Sequence, residues 1–385
     1  MKKKRVICAM SGGVDSSVAA AILKKQGYEV IGIFMKLWSA ETTGDKTENI
    51  CCSTEAATAA RAVANKLKIP FYVVNFAEEF KKAVVDYYVK ESESGRTPNP
   101  CVVCNREIKG ELLMQKMFEM EADYLATGHY ARIKIQNSKF KSQNFNKFSP
   151  SNDKSKCKNI YELHQGRDLN KDQTYFLWSL TQKHLARMLF PVGDYLKKEV
   201  RKMASQWQLP TAKRQESQGI CFIPDRDVSR FLRRQAAKLT KPGPIYDKEG
   251  KKLGRHHGLV DYTIGQREGL GIGGPRAYYV LKLNRRDNSL IVGEEKDLYL
   301  KELIAEDLNW LNLTDNRQLT TNHLGAKIRY GHPVAGCRLS FISQDRVKVI
   351  FDQPQRAITP GQSIVFYAGE EVLGGGVIKE GIENN

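Results

Sequence analysis

The sequence predicts an α/β protein in three parts: an N-terminal domain on a parallel sheet, a small glycine-rich domain containing β-strands, and a C-terminal antiparallel β-barrel. Short apolar runs alternate with helical patterns along residues 1–130, and from Pro242 onward glycine and proline punctuate short alternating segments. A length of 385 residues with 41% hydrophobic residues suits two or three domains. We expect these domains at residues 1–226, 227–297 and 298–385.

The N-terminal domain is expected to alternate strands and helices. Strands separated by helices of about 10–15 residues need crossover connections, which produce a parallel sheet. The expected strands are residues 5–10, 30–38, 71–76 and 124–127. The expected helices are one that ends before Gly27, then 56–67, 78–90, 107–120, 173–180, 182–189 and 196–206.

Residues 134–160 interrupt this alternation. They hold seven Lys, five Asn and five Ser, with three Phe as the only ring-bearing apolar residues, a composition that cannot bury a core. We therefore expect a flexible surface insertion. Beyond Trp310, five short alternating segments predict strands of the barrel: residues 327–330, 338–342, 346–351, 363–367 and 372–378.

The charge balance favours a polyanionic partner. Sixty-one basic residues stand against 43 acidic ones, a formal net charge of +18, which a small neutral substrate does not require. Part of the excess lies in the lysine-rich insertion, but the remainder still favours nucleic acid. The sequence has no apolar run of ~18 residues that could span a membrane. The apolar run after the basic start, Val6–Met10, is too short for a signal peptide and meets Ser11-Gly12-Gly13 instead of a cleavage site, so we expect a cytoplasmic protein.

A glycine-containing loop follows the first expected strand and opens the first helix. Its sequence, Ser-Gly-Gly-Val-Asp-Ser-Ser over residues 11–17, joins a sharp turn to free amides and hydroxyls at a helix start, which favours an anion. No Gly-Lys-Ser/Thr follows, so it is not a Walker A loop. It resembles the PP-loop of ATP pyrophosphatases, which implies an adenine nucleotide hydrolase-like domain in which Asp15 helps to hold Mg²⁺ near the phosphates.

The candidate ATP-binding residues lie on this loop and at two later strand ends, where ligands of parallel sheets collect. Met35 is placed to touch adenine, although a core role is nearly as compatible with methionine. The full set is Ala9, Met10, Ser11, Gly12, Gly13, Val14, Asp15, Ser16, Met35 and Gly128.

Two further segments carry cysteines in contexts that suit sulfur chemistry. Residues 96–105 join a proline-stiffened loop, Cys101, Cys104 and a helix start, where the helix dipole favours a thiolate. Residues 216–223 place Cys221 where a polar loop becomes apolar. A single Cys-x-x-Cys is a weak zinc signal, and the adjacent Cys51 and Cys52 are poor candidates to complete it.

Taken together, these motifs resemble the bacterial tRNA-specific 2-thiouridylase family. They occur in that family's order along nearly the whole chain, apart from the insertion, and the linked set is more specific than any one motif. The matching segments are residues 11–17, 97–105, 126–131, 171–177, 219–223, 262–267 and 359–362.

The resemblance implies a sulfurtransferase that thiolates the wobble uridine of tRNAs for Lys, Glu and Gln. ATP adenylates the uracil C2 oxygen with release of pyrophosphate, sulfur carried as a persulfide on Cys221 attacks C2, and AMP departs. Cys104 takes the nucleophile position, either freeing hydrosulfide from the persulfide or closing a transient disulfide with Cys221. A persulfide-donating sulfur carrier or a cysteine desulfurase is the implied protein partner.

The resemblance also implies tRNA contacts. Asn99, Pro100 and Cys101 match the segment that meets the target base. For Lys171 and Arg329, a solvated surface charge is the ordinary alternative. Beyond the target-base segment, the implied tRNA contacts, with Lys171 and Arg329 among them, are His129, Lys171, Asp172, Gln173, Arg329, Tyr330 and Gln362.

Cys101 leaves a mechanistic alternative open. Many members of the family carry Asp at this position, and a thiol is a poorer acid or base. Cys101, Cys104 and Cys221 are also enough to hold an iron–sulfur cluster with one open iron, which would deliver sulfide instead of a persulfide.

Two other classes compete with this reading. Another PP-loop enzyme, such as a GMP-synthetase-like amidotransferase or a tRNA lysidine synthetase, would adenylate without needing the cysteine pair. A non-enzymatic RNA-binding protein would have no use for the nucleotide loop.

Overall fold

The computed structural model describes residues 3–38, 53–136, 159–216, 219–223, 225–236, 240–273, 276–311 and 324–383. Three sheets organise these residues: a parallel sheet of five strands, a sheet of four strands, and a sheet of eight strands that includes a closed barrel. The α/β class and the three-part architecture are confirmed. No helix within the described ranges is long and apolar enough to cross a membrane.

The N-terminal sheet is parallel, with strand order β3-β2-β1-β4-β7. Its central strand β1 contributes Val6 and Cys8 to the hydrophobic cluster on one face, and Ile7 and Ala9 to the cluster on the other. Both faces are therefore covered, as a parallel sheet requires. Its strands are β1 (Arg5–Ala9), β2 (Glu29–Lys36), β3 (Phe71–Asn75), β4 (Tyr124–Ala126) and β7 (Met188–Leu189).

The helices of the chain lie between the strands of this sheet and after them. Two of them contain π-helical turns, at Lys81–Val85 and Cys104–Leu112. The α-helical segments are α1 (Val14–Lys25), α2 (Thr54–Leu67), α3 (Ala77–Phe80), α4 (Asp86–Glu93), α5 (Pro100–Val103), α6 (Leu113–Glu119), α7 (Gln182–Leu185), α8 (Lys197–Gln206) and α9 (Val228–Gln235).

The middle sheet has strand order β10-β11-β8-β9 and encloses a small core that includes Ile245, Val280 and Leu290. Its strands are β8 (Gly243–Tyr246), β9 (Lys252–His256), β10 (Tyr279–Asn284) and β11 (Ser289–Gly293).

The C-terminal barrel is antiparallel and closes where β12 pairs with β17. A hairpin of the N-terminal region, β5 (Ala131–Gln136) with β6 (Ile160–Gln165), extends the barrel sheet by pairing with β17. The barrel strands are β12 (Tyr299–Trp310), β13 (Leu324–Lys327), β14 (Ala335–Ser343), β15 (Arg346–Arg356), β16 (Ser363–Ala368) and β17 (Glu371–Ile382).

Several expected elements differ from the structure. The helix expected at 173–180 is only a 3-10 turn, Thr174–Phe176, because buried Tyr175 is drawn to the barrel, where its hydroxyl donates to Ser363 O at 2.8 Å. The helix expected at 182–189 ends at Leu185, and Met188–Leu189 pairs with β4 as a strand.

The expected limits of the insertion, residues 134 and 160, include residues that belong to the flanking strands. Residues 134–136 belong to β5 and Ile160 begins β6. Residues 137–158, to which the expectation of flexibility applies, lie outside the described residues.

Candidate active site

The loop at residues 11–17 connects β1 to α1 and is braced by its own serines. Ser16 Oγ accepts from the Ser11 amide at 3.2 Å and donates to Gly13 O, also at 3.2 Å. Gly12 has φ +74°, and a Cβ there would lie 2.3 Å from Ala56 O. Glycine is therefore required at this turn, both by its backbone conformation and by its closeness to α2.

The end of β4 lies directly against this loop. A Cβ on Gly128 would come within 2.7 Å of the Ser16 amide nitrogen, so the two segments approach as closely as glycine allows. The structure thus brings Gly128 to the loop, as expected because the carboxyl ends of the parallel strands β1 and β4 lie at the same edge of the sheet.

The other candidate ATP residues differ in exposure. Ser11 is exposed, and Gly13, Asp15 and Gly128 are half-buried. Met35 packs against hydrophobic clusters on two sides, so its contact with adenine stays a prediction. The buried members, which can offer only backbone or small polar groups to a ligand, are Ala9, Met10, Gly12, Val14 and Ser16.

Asp15 is held by donors from two other elements. Lys197 Nζ donates to its two carboxylate oxygens at 2.7 and 2.8 Å, and the Tyr130 hydroxyl donates to Oδ1 at 2.8 Å. Burial, followed by the charge of Asp15, raises the pKa of Tyr130, so this hydroxyl keeps its proton and remains a donor.

Glu216 extends this arrangement toward the second cysteine segment. It pairs with Lys171 at 2.9 Å, Arg201 at 3.2 Å and Lys197 at 3.3 Å. The hydrogen bond from Lys171, with the charge of Lys197 and a bond from Arg201, lowers the pKa of Glu216 to about 2. We call Asp15, Lys171, Lys197, Arg201 and Glu216 the Glu216 network. It links the nucleotide loop to the chain five residues before Cys221.

Sequence reasoning missed Lys197 and Arg201 and did not assign Tyr130 or Glu216 a role. One signal for Lys197 was available, because a lysine at the first position of a helix opposes the helix dipole. A cation there indicates an anionic partner, which Asp15 supplies.

Cys104 and Cys221 belong to one hydrophobic cluster. Cys104 is buried, with 7% of its surface exposed, and half-buried Cys221 packs against the same cluster, which includes Phe222 and Ile108. The helix carrying Cys104 begins at Pro100, capped by Asn99, rather than near 107. Cys101 therefore occupies the first turn, where the dipole acts most strongly, and the dipole argument for Cys104 is weakened.

The cysteines do not form a metal-ligand set in the described part of the chain. No group of three or more His, Cys, Asp or Glu side chains there could hold a metal ion, so Cys101, Cys104 and Cys221 as placed do not fit a three-ligand cluster. Cys51, Cys52 and Cys157 lie outside the described residues. Cys8 and Cys337 are buried, and burial raises the pKa of both thiols to about 12.

A second polar chain joins β4 to the Cys104 helix. Thr127 Oγ1 lies 2.7 Å from His129 Nδ1, and His129 Nε2 lies 3.4 Å from Lys109 Nζ. Lys109 also donates to Asn105 Oδ1 at 2.8 Å. Burial, and secondarily the Lys109 charge, lower the pKa of His129 well below its usual value, so the imidazole is neutral at pH 7.

The expected target-base segment begins α5. Asn99 is buried and its side chain accepts from the Cys101 amide at 3.2 Å, while Pro100 is buried and Cys101 is half-buried. The preceding Thr97 is held by the barrel, because its carbonyl accepts from Gln362 Nε2 at 2.8 Å. The barrel thus helps to fix the loop that precedes Cys101.

The other expected tRNA contacts are engaged within the protein. Asp172 is 3% exposed and accepts from Thr174 Oγ1 at 2.9 Å, and Gln173 Oε1 accepts from the Tyr130 amide at 3.0 Å. Arg329 donates to Thr359 Oγ1 at 2.7 Å, and also to a middle-domain carbonyl. Tyr330 is 41% exposed. Their contacts with tRNA stay predictions.

The fold and loop define the class first: a parallel α/β nucleotide-binding domain of the HUP type, followed by two β domains. Three family models match in this order, described as a tRNA methyl transferase HUP domain over residues 4–225, a tRNA methyl transferase PRC-barrel domain over 229–294 and an aminomethyltransferase β-barrel domain over 300–378.

Full-length relatives then specify the family. A tRNA-specific 2-thiouridylase MnmA of Symbiobacterium thermophilum is 46% identical over 98% of this chain and 93% of its own. Those of Carboxydothermus hydrogenoformans and Acetivibrio thermocellus are 44% and 43% identical over 98% of this chain and 98% and 100% of their own. The chain belongs to the MnmA family of tRNA-specific 2-thiouridylases.

Proposed function

We propose that this protein catalyses ATP-dependent 2-thiolation of the wobble uridine in tRNAs of the Lys, Glu and Gln type. The observation that carries the proposal is the shared cluster of Cys104 and Cys221, tied through the Glu216 network to the loop at residues 11–17. This arrangement supports a single site in which a nucleotide and the two thiols act together.

The first step activates the base. The uracil O2 attacks the α-phosphorus of ATP as the N3 proton is lost, an O–P bond forms, and pyrophosphate leaves with the electrons of the broken P–O bond. The residues at 9–16 and Gly128 hold the nucleotide, and Lys197 and Arg201 supply positive charge beside it. The product is an adenylated base in which C2 carries a good leaving group.

The second step transfers sulfur. The terminal sulfur of a Cys221 persulfide attacks C2, and AMP leaves with the electrons of the C2–O bond. Attack of Cys104 on the Cys221 sulfur then breaks the S–S bond, leaves sulfur on C2 and forms a disulfide that an external thiol must reduce. In the other order, Cys104 first frees hydrosulfide, which attacks C2. In both orders N3 regains its proton.

Magnesium enters as part of the substrate MgATP. Mg²⁺ takes one or two carboxylates and completes its shell with phosphates and waters. Asp15 is the carboxylate of the loop and fits this need, provided that Lys197 yields part of its contact when the nucleotide binds.

The remaining assignments belong to the same proposal. The domain limits 1–226, 227–297 and 298–385 separate the catalytic part from the two β domains, and the +18 charge supports binding of tRNA. A sulfur carrier or cysteine desulfurase loads Cys221, and the reaction takes place in the cytoplasm, where thiols stay reduced.

The test incubates the protein with tRNA, MgATP and a persulfide donor. We expect AMP to form only when tRNA is present, and uridine to gain sulfur in place of oxygen. An added methyl group, the chemistry in two of the family-model descriptions, would have a different mass. AMP formation without tRNA, or a methylated nucleoside, would contradict the proposal.

A further inference from the structure

Lys109 lies between the two segments that the proposed reaction joins. Its ammonium contacts His129, the residue after Gly128, and Asn105, the residue after Cys104. Gly128 itself packs against Ser16 of the nucleotide loop. A single half-buried cation therefore touches the nucleotide side and the cysteine side of the site.

The hydrogen bonds around Lys109 leave donor capacity unused. An ammonium has three N–H donors and no acceptor, so His129 Nε2 must accept and its proton lies on Nδ1, which donates to Thr127. Asn105 Oδ1 takes a second donor. Both partners are neutral, and no third partner of Lys109 lies among the residues that the structure describes, so one donor is left for a ligand.

The charge of Lys109 has no carboxylate partner in the described part of the chain. This contrasts with Lys171 and Lys197, whose carboxylates lie within 3.3 Å. Burying a cation among neutral acceptors costs free energy unless an anion also pairs with it. We propose that Lys109 is a catalytic residue whose ammonium binds a non-bridging oxygen of the α-phosphoryl group as it passes from ATP to the base.

This inference rests on the proposed function and adds a residue to it. The α-phosphoryl oxygen gains negative charge when the base attacks. A positioned cation stabilises such charge more in a partly desolvated site than in bulk water. The Asn105 bond, together with the bond from Asn105 Nδ2 to Phe176 O at 2.9 Å, fixes the ammonium. Removing one such stabiliser costs about 10²–10³-fold in rate.

The test separates the effect of the positive charge of Lys109 from the effect of its hydrogen bond to Asn105. Lys109→Gln keeps a donor toward Asn105 but loses the charge, and Lys109→Arg keeps the charge. Lys116→Gln is the matched control, because Lys116 lies on the same helix and forms an exposed pair with Glu119. The readouts are single-turnover pyrophosphate release with saturating tRNA and MgATP, tRNA affinity and melting temperature.

We expect Lys109→Gln to release pyrophosphate about 10²-fold more slowly, with unchanged tRNA affinity. Lys109→Arg should recover part of the rate, and Lys116→Gln should match the wild type. Wild-type rates in Lys109→Gln would overturn the inference. If the wild type itself releases no pyrophosphate with tRNA and MgATP, the proposed function fails instead.

A second measurement does not depend on the folding of the glutamine variant. The two diastereomers of ATP with sulfur at the α-phosphorus place sulfur on one non-bridging oxygen or the other. We expect the ratio of their rates to differ between the wild type and Lys109→Arg, because the changed cation touches one of these positions. An identical ratio in both proteins would contradict contact with the α-phosphoryl group.

Discussion

Asp15 and Lys197 form an ion pair beside the loop at residues 11–17. The lysine lies at the start of α8, where its charge opposes the helix dipole, and it is 8% exposed. Asp15 stabilises that charge, and Tyr130 fixes the carboxylate from the other side. The pair therefore holds a cation and a carboxylate ready beside the loop.

Replacing Asp15 by Ala should abolish AMP formation and leave the fold intact. The half-buried carboxylate contacts polar groups rather than the core, so its loss removes the proposed Mg²⁺ ligand without opening a cavity. Lys197 keeps Glu216 as a carboxylate partner at 3.3 Å. AMP assays and circular dichroism check this. A folded Asp15→Ala protein with normal AMP release would show that the nucleotide is bound elsewhere.

Serine variants of the two cysteines should separate adenylation from sulfur transfer. Cys104→Ser and Cys221→Ser should both release pyrophosphate in a first turnover with tRNA and leave the base adenylated, yet yield no 2-thiouridine, because adenylation is assigned to the loop and not to the thiols. The matched control is Cys337→Ser, since Cys337 lies in the barrel core with a strongly raised thiol pKa. Full thiolation by either site variant would refute the two-thiol mechanism.

Glu216 predicts a specific pH dependence. Its folded-state pKa is lowered to about 2, below the ordinary glutamate value of 4.5. Its ion pairs therefore contribute stability that is fully present above about pH 4.5 and is lost as the pH falls toward 2. The melting temperatures of wild type and Glu216→Gln should differ at pH 7 and converge as the pH is lowered through this window. A difference that stays constant from pH 7 to pH 3 would contradict this role.

Among the elements, the helix that contains Cys104 holds several of the residues proposed to act in the reaction. Its π-helical part, Cys104–Leu112, includes Cys104, Asn105 and Lys109. π-Helical turns are rare and occur often at functional sites. Here the widened turn accompanies the bond from Lys109 to Asn105 four residues earlier.

Deleting residues 138–156 should leave stability nearly unchanged. The deletion keeps four residues between Gln136 and Ile160, which pair in the β5–β6 hairpin, and this length suits a hairpin loop. Five lysines leave with the segment, so tRNA affinity should fall and depend less on salt. Thermal melts and tRNA titrations at two salt concentrations measure both effects.

The control keeps the segment and changes its five lysines to glutamine, which separates charge from chain length. It should reproduce the change in salt dependence at an unchanged melting temperature. A large drop in melting temperature on deletion would mean that the segment contributes to the folded core.

The sequence predicted those elements whose periodicity and punctuation are local. Strands β1 to β4 and the glycine loop were predictable because apolar runs and turn residues mark them directly. The expected helix at 173–180 was wrong because Tyr175 is fixed by a distant strand. The short β7 and long β12 were missed for a related reason, since β7 has only two residues and β12 pairs with two strands far along the chain.

The residues of the candidate site also differ in whether the local sequence could predict them. Contiguous motifs revealed the loop, Cys104 and Cys221. Lys109, Lys197 and Arg201 were not recognised because a lysine or arginine on a helix is ordinarily a solvated charge. The roles proposed for them depend on contacts with His129, Asp15 and Glu216, which the fold brings to them from other elements.

At the scale of the whole molecule, the barrel and the middle domain complete the catalytic part. The barrel loop holds the chain before Cys101 through Gln362, and Arg96 pairs with Glu306 of β12 at 3.1 Å. Arg329 joins barrel and middle domain through Thr359 and Ile264. The loop proposed to meet the target base is therefore supported by the domain that carries several of the proposed tRNA contacts.

The most direct test of the central claim is nucleoside analysis of tRNA from cells that lack this protein. The account predicts that 2-thiolated uridine disappears from the wobble position of Lys, Glu and Gln tRNAs. It should return with the wild-type chain or Cys337→Ser, and not with Asp15→Ala, Cys104→Ser or Cys221→Ser. Unchanged 2-thiouridine in the deletion cells, or its return with Cys221→Ser, would contradict the account.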